Sequence, residues 1–178
     1  MIRGIFSFVL VFYTLAVFGQ DNSIPVSIRV AAGNRLIAHT YAKGVQVYVC
    51  IQDPNDSSHY IWAFKEPHAS LYTDSSYHHL VGRHYFDAGK NPTWEHTDGS
   101  KVSGMKVQQA SSPDSAAIPW LLLKATAASG SGTLTPALFI QRIHTRGGKA
   151  PATADRANKG QTTEVPYTAE YLFYDEKQ

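Results

Sequence analysis

The sequence predicts an all-β fold, namely a single-domain antiparallel β-sandwich or barrel with long loops. Apolar and polar residues alternate in many short stretches, which recur about every ten residues and are separated by Gly, Asn, Asp and Pro. No stretch combines helical periodicity with capping residues. The length of 178 residues suits one domain, and the sequence shows no internal repeat.

The first twenty residues predict a cleavable signal peptide. Arg3 supplies the positive charge, residues 5–18 are an uncharged apolar run, and Gly19 is a small residue at its end. Cleavage after Gly19 and cleavage after Gln20 both fit this pattern. The run is shorter than the roughly 20 apolar residues that span a bilayer, so an uncleaved anchor is the weaker alternative. We therefore expect an exported domain, residues 21–178, that is periplasmic or extracellular.

The first half of the domain predicts a series of strands. Val, Ile and aromatic residues alternate with polar ones, which is typical of half-buried strands. Turn residues separate these stretches, and Lys43-Gly44 is one such signal. The predicted strands cover residues 26–30, 36–41, 45–51 and 59–65, and the turns cover 32–34, 43–44 and 53–56.

The second half predicts the remaining strands. Asp98-Gly99 between two extended segments indicates a hairpin, because glycine adopts a positive φ without cost. Residues 119–127 are apolar at consecutive positions, which indicates a strand buried on both faces, and Pro136 suggests an edge or a bulge. The predicted strands cover residues 77–86 (interrupted at Gly82), 94–96, 101–108, 119–127, 134–144 and 163–174, with a long loop over 145–161.

The charge balance and the single cysteine exclude several classes of protein. The formal net charge of the full chain is +2, and Arg3 is the one charged residue among the first twenty, so the domain is nearly neutral. It therefore lacks the basic surface that nucleic-acid binding requires, and no later apolar run predicts a membrane segment. Cys50 is the single cysteine, which rules out an internal disulfide. Its apolar surroundings predict a buried side chain, with a reactive free thiol as the alternative.

Residues 82–100 are the segment densest in polar and aromatic side chains, and such loops and hairpins commonly carry function. The catalytic candidates, in which two carboxylates would form an acid/base pair beside an imidazole, are His84, Glu95 and Asp98. The ligand-binding candidates, which offer a stacking ring or hydrogen-bonding groups, are Trp94, Tyr85, Asn91 and Ser100. A structural interpretation is also open, in which Asp98-Gly99 is simply a turn, Trp94 lies in the core and Glu95 pairs with a Lys or Arg.

The eight histidines suggest a metal site, which is the weaker alternative to the sites above. Imidazole and carboxylate ligands suit zinc or copper, and His84 and His96 are the candidate ligands. The adjacent His78 and His79 would point to opposite faces of a strand, and no compact zinc motif occurs. No cofactor is predicted, since the chain has no GxGxxG after a strand to hold a dinucleotide.

Several ordered blocks resemble one protein family. They are AKGVQVYVC at 42–50, GxHY at 82–85, PTWE at 92–95 with DGS at 98–100, IPWLLL at 118–123, IQR at 140–142 with GGxAP at 147–151, and VPYTAEYLFY at 165–174. With these blocks the chain resembles the secreted family numbered three-four-five-five among the domains of unknown function.

The resemblance implies an exported protein and leaves its chemistry open. Some relatives carry a malate dehydrogenase label, which the sequence does not support. Relatives often have a second cysteine soon after the GGxAP block, whereas residues 152–156 here contain none. If relatives tie this loop to the Cys50 strand, the resemblance implies a loop over 145–161 that is less constrained than theirs.

Three functions fit these observations. The first is a non-enzymatic exported domain that binds an extracellular or cell-surface ligand such as a glycan. The second is a secreted hydrolase or metal-dependent oxidoreductase, which requires His84, Glu95 and Asp98 to converge in one pocket. The third is a structural component of the envelope or matrix.

Overall fold

The computed structural model describes residues 23–177 and shows a closed antiparallel barrel of eight strands. Each strand pairs with the next along the chain, and the last pairs with the first, so the predicted all-β antiparallel fold is confirmed in its barrel form. The strands are β1 Asn34–Asp53, β2 Asp56–Tyr72, β3 Leu80–Phe86, β4 Pro92–His96, β5 Lys101–Ala110, β6 Trp120–Ser129, β7 Phe139–Gly147 and β8 Thr162–Glu176. The predicted signal peptide and its cleavage positions lie outside the described residues.

Two glycines that were expected to interrupt strands instead lie inside them. The predicted turn at Lys43-Gly44 is wrong, because β1 runs through it without a break. Similarly, β3 runs through Gly82. A Cβ at Gly44 would collide with the carbonyl oxygen of His68 on β2, and one at Gly82 would collide with that of Glu95 on β4. Both glycines therefore permit close approach of neighbouring strands rather than a change of direction.

Two strand predictions near proline are also wrong. Residues 26–30 do not form a strand, since Val26–Ile28 is a short 3₁₀ helix that follows Pro25. The strand predicted over 134–144 begins only at Phe139 and extends to Gly147. Pro136 lies before it in a turn, where its missing N–H costs no ladder hydrogen bond.

Buried apolar residues form two clusters, one inside the barrel and one outside it. The largest fully buried members of the inner cluster are Trp94, Tyr171 and Phe173. In the outer cluster, Ile24, Ile28 and Val30 cover an outer face of the barrel that includes Trp120, Leu122, Ile143 and Tyr174. This cover explains why residues 120–123 are apolar on both faces.

The segment before β8 is held against β1 by hydrogen bonds. The backbone N–H of Cys50 donates to Gln161 at 2.9 Å, and the Gly160 N–H donates to the Cys50 carbonyl at 2.9 Å. Cys50 is 1% exposed, which confirms the predicted burial, and its Sγ lies 3.7 Å from the carbonyl oxygen of Asp155. Asp155 also caps a second 3₁₀ helix, Arg156–Asn158.

Among residues 23–177 the structure contains no helix long and apolar enough to cross a membrane.

Candidate functional site

A cavity of about 290 Å³ opens at one end of the barrel, and we call it the mouth cavity. It lies at the end where the β3–β4, β5–β6 and β7–β8 connections meet the long β1–β2 hairpin. Its volume is at the lower limit of the roughly 300–1,000 Å³ typical of small-molecule sites. Six aromatic or imidazole rings line it, namely Tyr48, Phe64, His84, Phe86, Trp94 and Tyr171.

The wall of the mouth cavity is built on the pairing of β3 with β4. His84 and Trp94 are directly opposite in the register, and their rings stack 4.5 Å apart at an interplanar angle of 11°. Tyr171 on β8 meets the Trp94 ring edge-on at 5.2 Å. These three rings are almost fully buried and form the base of the wall, whereas Phe64 and Phe86, which meet edge-on at 5.6 Å, are its accessible part, on which another planar ring can pack.

His84 is a neutral member of this wall. Burial lowers the pKa of its imidazole to about 3, and the positive charge of Arg142 acts in the same direction. The Nδ1 atom lies 3.0 Å from the Thr93 carbonyl oxygen. Because a carbonyl only accepts, Nδ1 carries the proton and Nε2 retains its lone pair.

The cavity carries positive charge without an acidic partner. Arg142 and Lys106 line it, and no Asp or Glu is found among its described lining residues. Arg142 is half-buried and donates from Nε and Nη2 to the Pro119 carbonyl oxygen at 3.2 and 2.9 Å. Within residues 23–177 it forms no ion pair. A partly buried cation of this kind favours an anionic ligand, because the charge is costly to desolvate alone.

Three further polar groups in the lining lack a hydrogen-bond partner of ordinary geometry among the described residues. They are Gln46 Nε2, Trp94 Nε1 and the Tyr171 hydroxyl. Burial raises the pKa of the Tyr171 phenol, and the nearby Arg142 charge opposes that increase. An unpaired buried polar group costs about 1–3 kcal/mol, so a ligand atom that reached one of these groups would gain a hydrogen bond.

The sequence-predicted candidates occupy four different places. His84 and Trp94 line the mouth cavity, whereas the neighbouring side chains of β3 and β4 lie on the outer face of the barrel. There Glu95 Oε2 accepts from Tyr85 at 2.7 Å and from Arg83 Nη2 at 2.8 Å. The Tyr85 hydrogen bond is the largest cause that lowers the pKa of Glu95, so this carboxylate is ionised and paired.

Asp98 and Ser100 belong to the β4–β5 turn at the opposite end of the strands. Asp98 Oδ1 accepts from the Ser100 hydroxyl at 2.6 Å, and its Oδ2 accepts from the Thr133 N–H at 2.8 Å. These bonds, that of Ser100 first, hold the pKa of Asp98 far below its usual value. Asn91 lies in the β3–β4 loop, where its backbone N–H donates to Asp87 Oδ1 at 2.9 Å.

The structure therefore does not bring His84, Glu95 and Asp98 into one cavity among the described residues. Of the metal candidates, His84 lies in the cavity wall, whereas His96 Nδ1 lies 3.0 Å from Asp98 Oδ2 beside the hairpin turn. Within residues 23–177 no group of three or more His, Cys, Asp or Glu is placed to hold a metal ion.

Sequence reasoning missed Arg142, Gln46, Lys106 and Tyr171. One signal was present for Arg142, because it follows the inward-facing Ile140 by two residues and so shares its face of β7. The other residues belong to strands far away in the chain, and the barrel closure brings them together.

No curated protein matches the chain significantly. The chain is similar to a solved structure, that of the pterocarpan synthase dirigent protein GePTS1, with 15% sequence identity, a TM-score of 0.36, and coverage of 84% of this chain and 91% of that chain. A family model described as a protein of unknown function, DUF3455, matches residues 31–175. Because that match spans most of the 178 residues, the chain belongs to the DUF3455 family.

Proposed function

We propose that this protein is an exported, non-enzymatic binding domain whose mouth cavity takes a small aromatic acid. One observation carries the proposal, namely the Arg142 guanidinium in an aromatic cavity without a carboxylate partner among the described residues. The carboxylate of the ligand would accept from Arg142, and its ring would pack on the cavity wall.

The chemistry of the lining supports a ligand with both an apolar ring and an anionic group. An aromatic pair such as Trp94 and Tyr171 contributes about 0.5–1.5 kcal/mol in addition to the burial of its apolar surface. A hydrogen bond to a charged group contributes about 1.5–3 kcal/mol. The buried Trp94 Nε1, which has no hydrogen-bond partner among the described residues, would be a further donor to a ligand oxygen that reaches it.

Binding is favoured over catalysis by the state of the lining groups. His84 is neutral through the physiological range, and its Nδ1 proton is engaged by a carbonyl. The carboxylates expected to act as an acid/base pair, Glu95 and Asp98, are held in ion pairs and turn hydrogen bonds away from the cavity.

The buried position of Trp94 also bears on the glycan interpretation. Trp94 is 1% exposed, and its ring stacks on His84. The burial of Trp94 argues against a sugar stacked on its ring. It favours a planar ligand held inside the barrel.

Calorimetric titration of the exported protein with benzoate, phenylacetate and indole-3-acetate tests the proposal, with the corresponding alcohols as neutral counterparts. We expect each acid to bind at least about tenfold more tightly than its alcohol and to change Trp fluorescence through Trp94. Arg142→Met should remove that preference, whereas Arg35→Met, at an exposed pair with Asp175, should retain it. Equal affinities for acids and alcohols would refute the assignment.

Tyr171→Phe separates a ligand role from a structural one. The hydroxyl makes no hydrogen bond of ordinary geometry among the described residues, and only Tyr167 and Arg142 interact with it, so its removal should change the free energy of unfolding by less than about 1 kcal/mol. Affinity for the acids should nevertheless fall several-fold. A variant that loses stability but keeps its affinity would assign this hydroxyl to the fold alone.

A further inference from the structure

A second concave site lies on the outside of the barrel, and we call it the outer groove. Its volume is about 510 Å³, and none of its lining residues belongs to the mouth cavity. Tyr41 and Glu170 contribute to it, and they alternate with the inward-facing Ala42 and Ala169. The β2–β3 connection and the β5–β6 connection form its two sides, through Ser75 and Tyr77 on one and Ser112, Pro113 and Asp114 on the other.

The floor of the outer groove contains a carboxylate held between two imidazoles. Glu170 Oε2 lies 2.8 Å from His39 Nε2, and Glu170 Oε1 lies 3.0 Å from His144 Nδ1. Burial raises the pKa of Glu170, but hydrogen bonds from both histidines outweigh it and leave that pKa below its usual value. The result is an ionised carboxylate in a fixed orientation, whose remaining lone pairs can accept hydrogen bonds from a ligand.

Aromatic rings accompany this carboxylate. Trp120 lines the groove, is 4% exposed, and has an Nε1 without a hydrogen-bond partner among the described residues. Its ring meets that of His144 edge-on at 5.2 Å. Tyr41 and Tyr77 add two more rings to the lining.

The backbone of the groove is strained at two positions. Within residues 23–177, positive φ values occur at three residues other than glycine, and two of them, Tyr77 (φ 57°) and His144 (φ 49°), line this groove. Such conformations cost about 1–3 kcal/mol each and cluster at functional sites, where the surrounding structure holds them.

We infer from these features that the outer groove binds a neutral saccharide. The lining contains the carboxylates of Asp114 and Glu170 together with Arg146, and Glu170 already faces two imidazoles, so the groove presents hydrogen-bonding groups of both signs. Charged planar groups of both signs suit the paired donor and acceptor character of sugar hydroxyls, and the half-buried rings of Tyr41 and Tyr77 suit the apolar C–H faces of a sugar. The glycan ligand that the sequence analysis predicts would thus bind in the outer groove rather than at Trp94.

Titration of the exported protein with neutral oligosaccharides tests this inference, first on a glycan array and then by calorimetry with the sugars retained. We expect at least one neutral saccharide to bind. Glu170→Gln should lower the affinity for that saccharide at least tenfold, because the substitution replaces an acceptor oxygen by a donor. Glu95→Gln is the matched control, since Glu95 is a similarly paired carboxylate on the outer face of β4, and it should leave the affinity unchanged.

Two further variants keep the result interpretable. Asp114→Asn alters a loop carboxylate that accepts from the Ala116 N–H. This variant should lower the saccharide affinity without unfolding the barrel, so it remains informative even if Glu170→Gln proves unstable. Arg142→Met should abolish the preference of the mouth cavity for acids while leaving saccharide affinity intact. The inference is overturned if no neutral saccharide binds, or if Glu95→Gln weakens binding as much as Glu170→Gln does.

Discussion

His84 illustrates how a position inside the barrel changes the behaviour of a titratable side chain. Its imidazole is buried, and the pKa falls to about 3, compared with about 6.5 in an unfolded chain. Below pH 6.5 the unfolded state therefore binds a proton that the folded state does not. The contribution of His84 to the free energy of unfolding is therefore fully present above pH 6.5 and decreases as the pH falls toward 3.

This difference predicts a measurable loss of stability on acidification. Between pH 6 and pH 4 the His84 contribution should decrease the free energy of unfolding by about 2–3 kcal/mol. His84→Phe keeps a ring against Trp94 but cannot titrate, so its loss over the same interval should be smaller by that amount. Urea unfolding of both proteins at the two pH values measures the effect. Identical losses would show that His84 does not cause it.

At the same scale, the candidate site could be predicted only in part. The density of polar and aromatic residues over 82–100 drew attention to His84 and Trp94, which line the mouth cavity. The same density also selected Glu95, although adjacent residues of a strand face opposite sides. Arg142 lacked any local signal beyond its parity, because its neighbours Gln46 and Tyr171 come from β1 and β8.

Among the elements, the 3₁₀ helix Val26–Ile28 contributes more to stability than its three residues suggest. Ile28 is fully buried against the outer face of the barrel, and Gln141 Nε2 donates to the Ile28 carbonyl at 2.6 Å. The oxygen of the same amide accepts from the Tyr174 hydroxyl at 2.9 Å. The buried Gln141 amide thereby joins this helix to β8.

Ile28→Ala should therefore destabilise the domain by about 2–4 kcal/mol, the usual cost of a large-to-small change in a core. Val26→Ala is the matched control, because Val26 is 78% exposed in the same helix and its truncation should cost less than about 0.5 kcal/mol. Chemical denaturation gives both values. Similar losses in the two variants would mean that the helix does not cover the barrel as described.

Element boundaries were predicted well where turn chemistry was unambiguous and poorly where one residue type has two uses. Asp98-Gly99 is a hairpin turn, as predicted, and Gly99 has a φ of 89°. Gly44 was expected to turn as well, but it is needed in β1 for its missing side chain. Local sequence cannot distinguish these uses, because the colliding atom at Gly44 belongs to His68 on another strand.

On the scale of the whole molecule, alternation and strand spacing were sufficient to predict an antiparallel all-β domain. They left the sandwich and the barrel open, because closure depends on the pairing of β1 with β8, more than a hundred residues apart in the chain. The covering of the outer face by residues 24–30 was also beyond prediction, since Ile28 is buried by β-strands it does not adjoin in sequence.

Export belongs to this scale too and remains a prediction of the first twenty residues. Expression with the natural N-terminus, followed by intact-mass measurement and N-terminal sequencing of the exported fraction, should show a chain that begins at Gln20 or Asp21. A chain that keeps Met1 and stays with the membrane would instead indicate the uncleaved anchor. Substitution of Arg3 is not needed for this distinction, because mass alone separates the two outcomes.

The pairing of β1 with β8 also determines when the molecule can fold. Asn34 pairs with Glu176, so the first strand finds one of its two partners only after nearly the whole domain has been synthesised. Contacts this distant in sequence slow folding. A nascent chain would thus stay unfolded for longer. With the export predicted from the first twenty residues, that state would suit passage through a narrow translocation channel before the barrel closes.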